Sequence, residues 1–593
     1  MRLILVKLAL IQFFVASTSL AQTPIPRPFP SEDTNPSYIH ISNGKSIVGI
    51  LSSRDIDRYK TIFSLQRDGR WSEAKQIINR LRDERLMGYV LSQKYLHPNK
   101  YRSNYSELKN WMNNYADLPQ ASRIYKLAIR RRPKNSTYPK KPIKKFLSSL
   151  STSTHSNRNI REKSASARQL QSTIQARIRK GWPTGALKLL EKPYTKKIMS
   201  KEKVAILLRD IAASYYRAGK DHEAVTAAGR SIKNVPHNMP LAHWWGGLAA
   251  WRSNKIDTAH MHFTALAETK ETSDWLKSAG AFWSARTLLV NRRPEEYTKM
   301  LELGAQHHLT FYGLISKRAL GEKLEVNWEQ PPLSEFVFHR ILKTLYGVRA
   351  VALLQIGFKQ ESQKELLTLA AAEPTLQSDI INLAINMNLP SLSLKMAHIA
   401  DVSLKNTALY PIPDWNLKNN LTLDRALIYA FVRQESAFNE RAKSRAGARG
   451  LMQLMPSTAS FISGKRSLRG RKKHELYNPE LNILLGQKYI RHLLSDKSVP
   501  NNLFHITTAY NAGPGNMRNW EAKMNYNSDP LLFIESLPSK ETRLFIERIL
   551  TNLWLYRSRL NQEAHSLSDV AAGLWPNYYQ LDPIAGKMKK NEY

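Results

Sequence analysis

Four times between residues 69 and 259 the chain repeats one short phrase: a turn, a polar stretch and an alanine. It appears as Gly69-Arg70-Trp71-Ser72-Glu73-Ala74, as Gly181 to Ala186, as Gly219-Lys220-Asp221-His222-Glu223-Ala224, and more loosely as Asn254 to Ala259. Gly357 to Leu366 is a further, degenerate copy. The steps from Gly181 to Gly219 and from Gly219 to Asn254 are 38 and 35 residues, a period at which stacked helical hairpins repeat. In such hairpins a small residue lets paired helices approach. From about residue 54 to 400 the pattern is almost wholly helical in short pieces, so the expected fold is all-α, a superhelix of hairpins.

Residues 1–21 have the pattern of a cleaved signal peptide. Arg2 and Lys7 give the positive start, Leu8 to Ala16 is apolar except for Gln12, and Ser19-Leu20-Ala21 precedes a cleavage point. A retained membrane anchor would need a longer uninterrupted apolar run. Export permits disulfides, yet the chain has no cysteine, which also excludes a lipidated amino terminus. Stability must then come from helix packing, and the expected location is the periplasm. The formal charge of +41 suits a polyanionic partner. Export argues against nucleic acid and leaves an anionic membrane surface or a cell-wall polymer bearing peptide carboxylates.

Five prolines between Pro24 and Pro36 make 22–53 an irregular segment. The hairpin region, tetratricopeptide-like in period, is expected over 54–409. Within it Ser148 to Ser166 reads as a surface loop, and Arg130-Arg131-Arg132 and Lys140-Lys141 as solvated clusters. Trp244, Trp245, Trp251 and Trp283 lie in helical segments and are expected to pack between helices. At Tyr410-Pro411-Ile412-Pro413 two prolines impose an extended connector. A second domain follows over 410–570, then a polar tail over 571–593.

The second domain opens with a helix expected from Leu423 to Phe438, capped by Thr422 with Asp424 in its first turn. Ile428, Phe431, Val432, Glu435 and Phe438 fall on one face. A carboxyl on that stripe is desolvated, which favours its protonated form, and a protonated acid can donate to a glycosidic leaving group. From Arg441 to His474 there are ten Lys or Arg and no Asp or Glu. Most glycosidases use two carboxylates, so a lone Glu435 implies that the substrate supplies the second group. Tyr510 and Asn511, in Ala509-Tyr510-Asn511-Ala512-Gly513, offer a hydroxyl and an amide suited to a sugar or to holding a carboxyl in place.

In order and spacing, Glu435-Ser436, Gly450-Leu451-Met452-Gln453, Ala509 to Gly513 and Glu541-Thr542-Arg543 resemble the four motifs of the large soluble lytic transglycosylases, whose catalytic domain is goose-lysozyme-like. Leu476-Tyr477-Asn478-Pro479 with Asn482, Gly486 and Tyr489 is similar to the connecting helix of that family, and Phe311-Tyr312-Gly313-Leu314 to a segment of its helical region. The resemblance implies a peptidoglycan lytic transglycosylase, a lyase cleaving the β-1,4 bond between N-acetylmuramic acid and N-acetylglucosamine to give 1,6-anhydromuramyl ends. Glu435 would be the single acid and base. Ser444 would meet the acetamido group, Gln453 and Met455 the sugar subsites, Tyr510 and Asn511 the acid and substrate, and Glu541 the substrate.

One departure is Phe545, where the family often carries Tyr four residues after the Glu of the fourth motif. The basic loop from Ser463 to His474 is read as solvated. No cofactor or metal is implied, and His307-His308 reads as structural. The expected partner is the peptidoglycan strand; the resemblance also allows cell-wall or secretion-complex proteins, with at most peripheral membrane association. Two other readings remain open at this point: a hydrolytic muramidase on the same fold, and a non-catalytic wall-binding scaffold.

Overall fold

The computed structural model describes residues 37–40, 46–143, 164–235, 239–415 and 421–583. The expected signal peptide and residues 148–163 of the expected Ser148–Ser166 loop lie outside them. The fold is all-α. Among the described residues the strands are one antiparallel pair, Tyr38–His40 with Ser46–Val48, within a segment expected to be irregular. Gln355 pins its exit by accepting from the N–H groups of Ile50 and Leu51, each at 3.0 Å.

The repeated phrase is a helix–turn–helix joint with one geometry. The turn residue has φ of 72° at Gly69, 72° at Gly181, 71° at Gly219, 58° at Asn254 and 83° at Gly357. The following N–H reaches back five residues, as from Lys220 to the Tyr215 carbonyl at 2.9 Å and from Lys255 to Ala250 at 2.8 Å, which caps the orphan carbonyls of the first helix. A side chain at Gly219 or Gly357 would have open space, so the dihedral and not crowding selects glycine there. Ala74, Ala186, Ala224 and Ala259 are all fully buried, and Ser362 holds the same position after Gly357. A further joint, between Asp274–Val290 and Pro294–Ala305, was not signalled in the sequence. Its left-handed residue is Arg292, at φ 55°.

The chain forms two compact units, one of Met1–Ser149 with Pro331–Leu392, the other of Leu150–Gln330 with Ser393–Tyr593. The hairpins of 165–305 are therefore in the same unit as the carboxy-terminal stretch, a grouping different from the division at 409/410. In the first unit, the core ties Arg349 to Asp117 at 2.7 Å and to Glu365 at 2.9 Å. In the second, Trp283 is fully buried with Trp244 and Trp251 set edge-on against it, which is the packing role expected of them. No helix among the described residues is long and apolar enough to cross a membrane.

Residues 411–415 are non-helical, as the two prolines require. The helix that follows runs Arg425–Ser436, two residues shorter at each end than expected. Thr422 does not cap it: its N–H and that of Leu423 are bound by Gln487 at 2.7 and 3.2 Å, and Asp424 occupies the N-cap. Nor are residues 574–583 a free tail. Trp575 packs on His505 and Phe533, the Pro576 carbonyl accepts from Leu503 at 2.8 Å, and Asp582 pairs with Arg425 at 3.0 Å.

Candidate active site

Glu435 sits in the last turn of Arg425–Ser436, half-buried. Ala437 and Phe438 follow with φ of 48° and 61°, a left-handed conformation that costs a non-glycine residue on the order of 1–2 kcal/mol. The strain ends the helix directly after the acid, so Phe438 leaves the expected stripe and its buried ring packs on Trp415, centroids 6.1 Å apart. Burial pushes the Glu435 carboxyl from an ordinary 4.5 up to about 8, and the neighbouring Glu541 carboxylate adds to the shift. The group is thus protonated at neutral pH.

Tyr510 lies within electrostatic reach of Glu435; burial first, then that carboxylate, raises its hydroxyl well above the ordinary range. The hydroxyl donates to the Met452 carbonyl at 2.8 Å, joining the third motif to the second. Phe431 and Tyr489 pack on the Tyr510 ring at 4.6 and 5.2 Å, and Phe545 stacks nearly parallel to it at 6.3 Å. Phe545 is buried, so the ring at this departure from the family pattern serves as a wall for Tyr510. Asn511 accepts from the Thr542 hydroxyl at 2.8 Å, joining the third motif to the fourth. Glu541 is exposed at the start of Lys540–Arg559.

The loop of the second motif is held from beneath. Gly450 has φ 78°, and a side chain there would stand 2.2 Å from the Leu476 carbonyl oxygen. Asn482, fully buried, accepts from Met452 N–H at 2.8 Å and donates to the carbonyls of Arg449 and Leu476 at 3.0 and 2.8 Å. Gln453, at φ 45°, spends its amide nitrogen on the carbonyls of Ala442 and Gly450, The Ser444 hydroxyl accepts from Ala448 N–H at 3.0 Å and closes its own loop. Met455 is 38% exposed at the N-cap of Pro456–Ser463. Glu435, Tyr510 and Glu541 are thus electrically coupled and Asn511 is anchored beside them, while Ser444, Gln453 and Met455 belong to the adjoining loop. Sequence reasoning missed the structural weight of Asn482; a buried amide on an otherwise apolar helix face was its signal. In the basic 463–474 loop Leu468 is the buried anchor and the cations are exposed.

The Asn482→Leu variant would orphan the Met452 N–H and the Leu476 carbonyl, while the Arg449 carbonyl keeps the Leu454 N–H at 3.1 Å. A loss of about 2–3 kcal/mol is expected, read as a lower melting temperature.

Residues 415–532 match the Transglycosylase SLT domain family. The chain is also 27% identical over 308 residues to the soluble lytic murein transglycosylase of Salmonella typhimurium, covering 51% of this chain and 46% of that protein. It therefore spans less than half the length of the curated relatives it matches. Among solved structures it is similar to an inactive variant of the lytic transglycosylase Slt of Pseudomonas aeruginosa, at TM-score 0.56 and 20% identity over 87% of this chain and 90% of that one. The 70 kDa soluble lytic transglycosylase of Escherichia coli gives TM-score 0.54 and 18% identity over 89% and 100%. These likenesses agree with the resemblance read from the four motifs and with the expected fold, stacked helical hairpins and a lysozyme-like α domain. Within the matched segment lie the first three motifs; the fourth, Glu541 to Arg543, follows its end.

Proposed function

We propose that the protein is a periplasmic lytic transglycosylase of peptidoglycan, with Glu435 as its single general acid and base. The observation that supports this best is the Glu435 carboxyl itself, held protonated by burial inside an SLT domain. Glu435 gives its proton to the glycosidic oxygen as the bond from C1 of N-acetylmuramic acid breaks. The acetamido oxygen of that sugar bonds to C1 in its place. Glu435, now a carboxylate, takes the proton of the C6 hydroxyl, whose oxygen displaces the acetamido oxygen at C1 and closes the 1,6-anhydro ring. Proton and electron pairs balance without water. Tyr510 stands beside the acid, and Asn511 and Glu541 line the substrate side.

A hydrolytic muramidase has one observation in its favour, the Glu541 carboxylate near Glu435, which could activate a water. Mass spectrometry of digested peptidoglycan separates the readings. Anhydromuramyl ends are expected from the wild type and not from Glu435→Gln; reducing muramic ends would establish hydrolysis, and wall binding without products from either protein would establish a scaffold.

The pH profile carries a second test. Glu435 must start protonated, so activity should fall as pH rises through about 8. The Glu541 charge raises the Glu435 pKa; removing it in Glu541→Gln lowers that pKa and should move the alkaline limb to lower pH.

A further inference from the structure

The helix Lys540–Arg559 has two working faces. Glu541, Thr542 and Phe545 turn to Glu435, Asn511 and Tyr510. Arg543, Leu544 and Glu547, at helical spacing on another face, line a separate cavity of about 420 Å³ closed by helices of the 165–319 region. That volume lies in the usual range of small-molecule sites, roughly 300–1,000 Å³.

The floor of this cavity carries three buried ionisable side chains within electrostatic reach of one another but with no ion pair among them. Glu535, Arg543 and Glu547 are 3%, 5% and 8% exposed. Glu535 accepts from the Tyr312 hydroxyl at 2.6 Å, and Arg543 donates to the Leu537 carbonyl and lies over the Trp245 ring at 5.3 Å. Arg543 forms no ion pair with either carboxyl, and the Glu547 carboxyl has no hydrogen-bond partner among the described residues. Buried ionisable groups in native folds are normally paired; a lone one on the wall of a cavity points to a guest. Burial, joined at Glu547 by the neighbouring Glu535, raises Glu547 well above the ordinary range, and burial raises Glu535 to about 7, so both favour the protonated form until a cation enters the cavity. The indoles of Trp244 and Trp275 also line the cavity, with the exposed guanidinium of Arg217 and the half-buried one of Arg209, which is already paired with Asp210 at 2.7 Å.

We propose that this cavity is a second binding site, for a short peptide carrying both free amines and free carboxylates. An ammonium would pair with Glu547 against the indole faces, and a carboxylate would meet Arg217 at the rim. The choice of peptide rests on the reading of peptidoglycan as the substrate, whose stem peptides have this chemistry; the binding itself needs no catalysis.

Calorimetric titration of the full chain with the free tripeptide L-alanyl-γ-D-glutamyl-meso-diaminopimelate tests this. Saturable binding is expected, equal in Glu435→Gln, and weakened about tenfold or more in Glu547→Gln. Arg217→Ala, at the exposed rim where folding is not at stake, should weaken it too, as should acetylation of the peptide amines. Absence of saturable binding, or unchanged affinity in both Glu547→Gln and Arg217→Ala, would overturn the proposal. So would affinity that is lost in Glu541→Gln instead, since the peptide would then lie in the cleavage site. Failure of the transglycosylase reading would show in the digestion products and leave this titration unaffected.

Discussion

Glu435→Gln is expected to lower peptidoglycan cleavage by about 10²–10⁴-fold, the contribution of a positioned general acid, while leaving the fold more stable near neutral pH than the wild type. The loss of activity follows from the chemistry: Gln has the shape of the acid and no proton to give. The gain in stability follows from linkage. The folded pKa of Glu435, about 8, lies above its ordinary 4.5, so the folded state prefers the protonated form. Below 4.5 both states are protonated, and acid and amide should be equally stable. As pH rises from there toward 8, the unfolded chain gains stability by ionising and the folded chain does not, which destabilises the wild type alone. The separation is worth about 1.4 kcal/mol per pH unit, reduced because the carboxyl is half-buried and not sealed from solvent. Melting temperatures of the two proteins at pH 4 and pH 7.5, measured beside the digestion assay, should coincide at the first and diverge at the second. Equal stability at both would mean that Glu435 is not desolvated. A Gln variant as active as the wild type would remove it from the reaction.

The same carboxyl shows how far the sequence could be read. A Glu on an apolar stripe already implied desolvation, because helical spacing is local and burial of Ile428, Phe431 and Val432 follows from it. The hairpin joints were equally legible wherever glycine or asparagine took the left-handed position with alanine five residues on. The joint at Arg292 was not, since nothing local marks an arginine as left-handed; the packing of the flanking helices holds it there. Most of the rest that failed to show was a contact between distant segments. The polar composition of 571–593 gave no sign that Trp575 and Asp582 are integral to the SLT region, and Thr422 looked like a cap because Gln487, 65 residues on, is invisible to local reasoning. The cavity beneath Arg543 and Glu547 is the extreme case. Its walls come from helices some 300 residues apart in the chain, and no motif joins them. Four of the expected site residues, Glu435, Tyr510, Asn511 and Glu541, lie close together in the fold. Ser444 and Gln453 instead spend hydrogen bonds on their own loop, a use that competes with sugar contact.

Arg557→Met should cost about 3–5 kcal/mol of stability. Arg557 and Asp424 form an ion pair at 2.7 Å, with side chains only 5% and 0% exposed. Arg557 also donates to the Tyr579 carbonyl and to Gln562. Asp424 is the N-cap of the helix that carries Glu435 and accepts from the N–H groups of Leu581 and Asp582. One pair thus ties the start of the acid-bearing helix to Lys540–Arg559 and to residues 579–582. Removing the cation strands a carboxylate with no water to receive it. The cost comes from that stranded charge and not from a net benefit of the pair, since bringing both ions out of water offsets most of their attraction. The double variant Asp424→Asn with Arg557→Met should therefore recover most of the lost stability. The amide keeps an acceptor for the backbone N–H groups and carries no charge to strand. A double-mutant cycle by thermal unfolding gives the coupling directly. Additive losses would show that Asp424 reaches a counter-charge elsewhere, and the helix bearing Glu435 would then be anchored by packing alone.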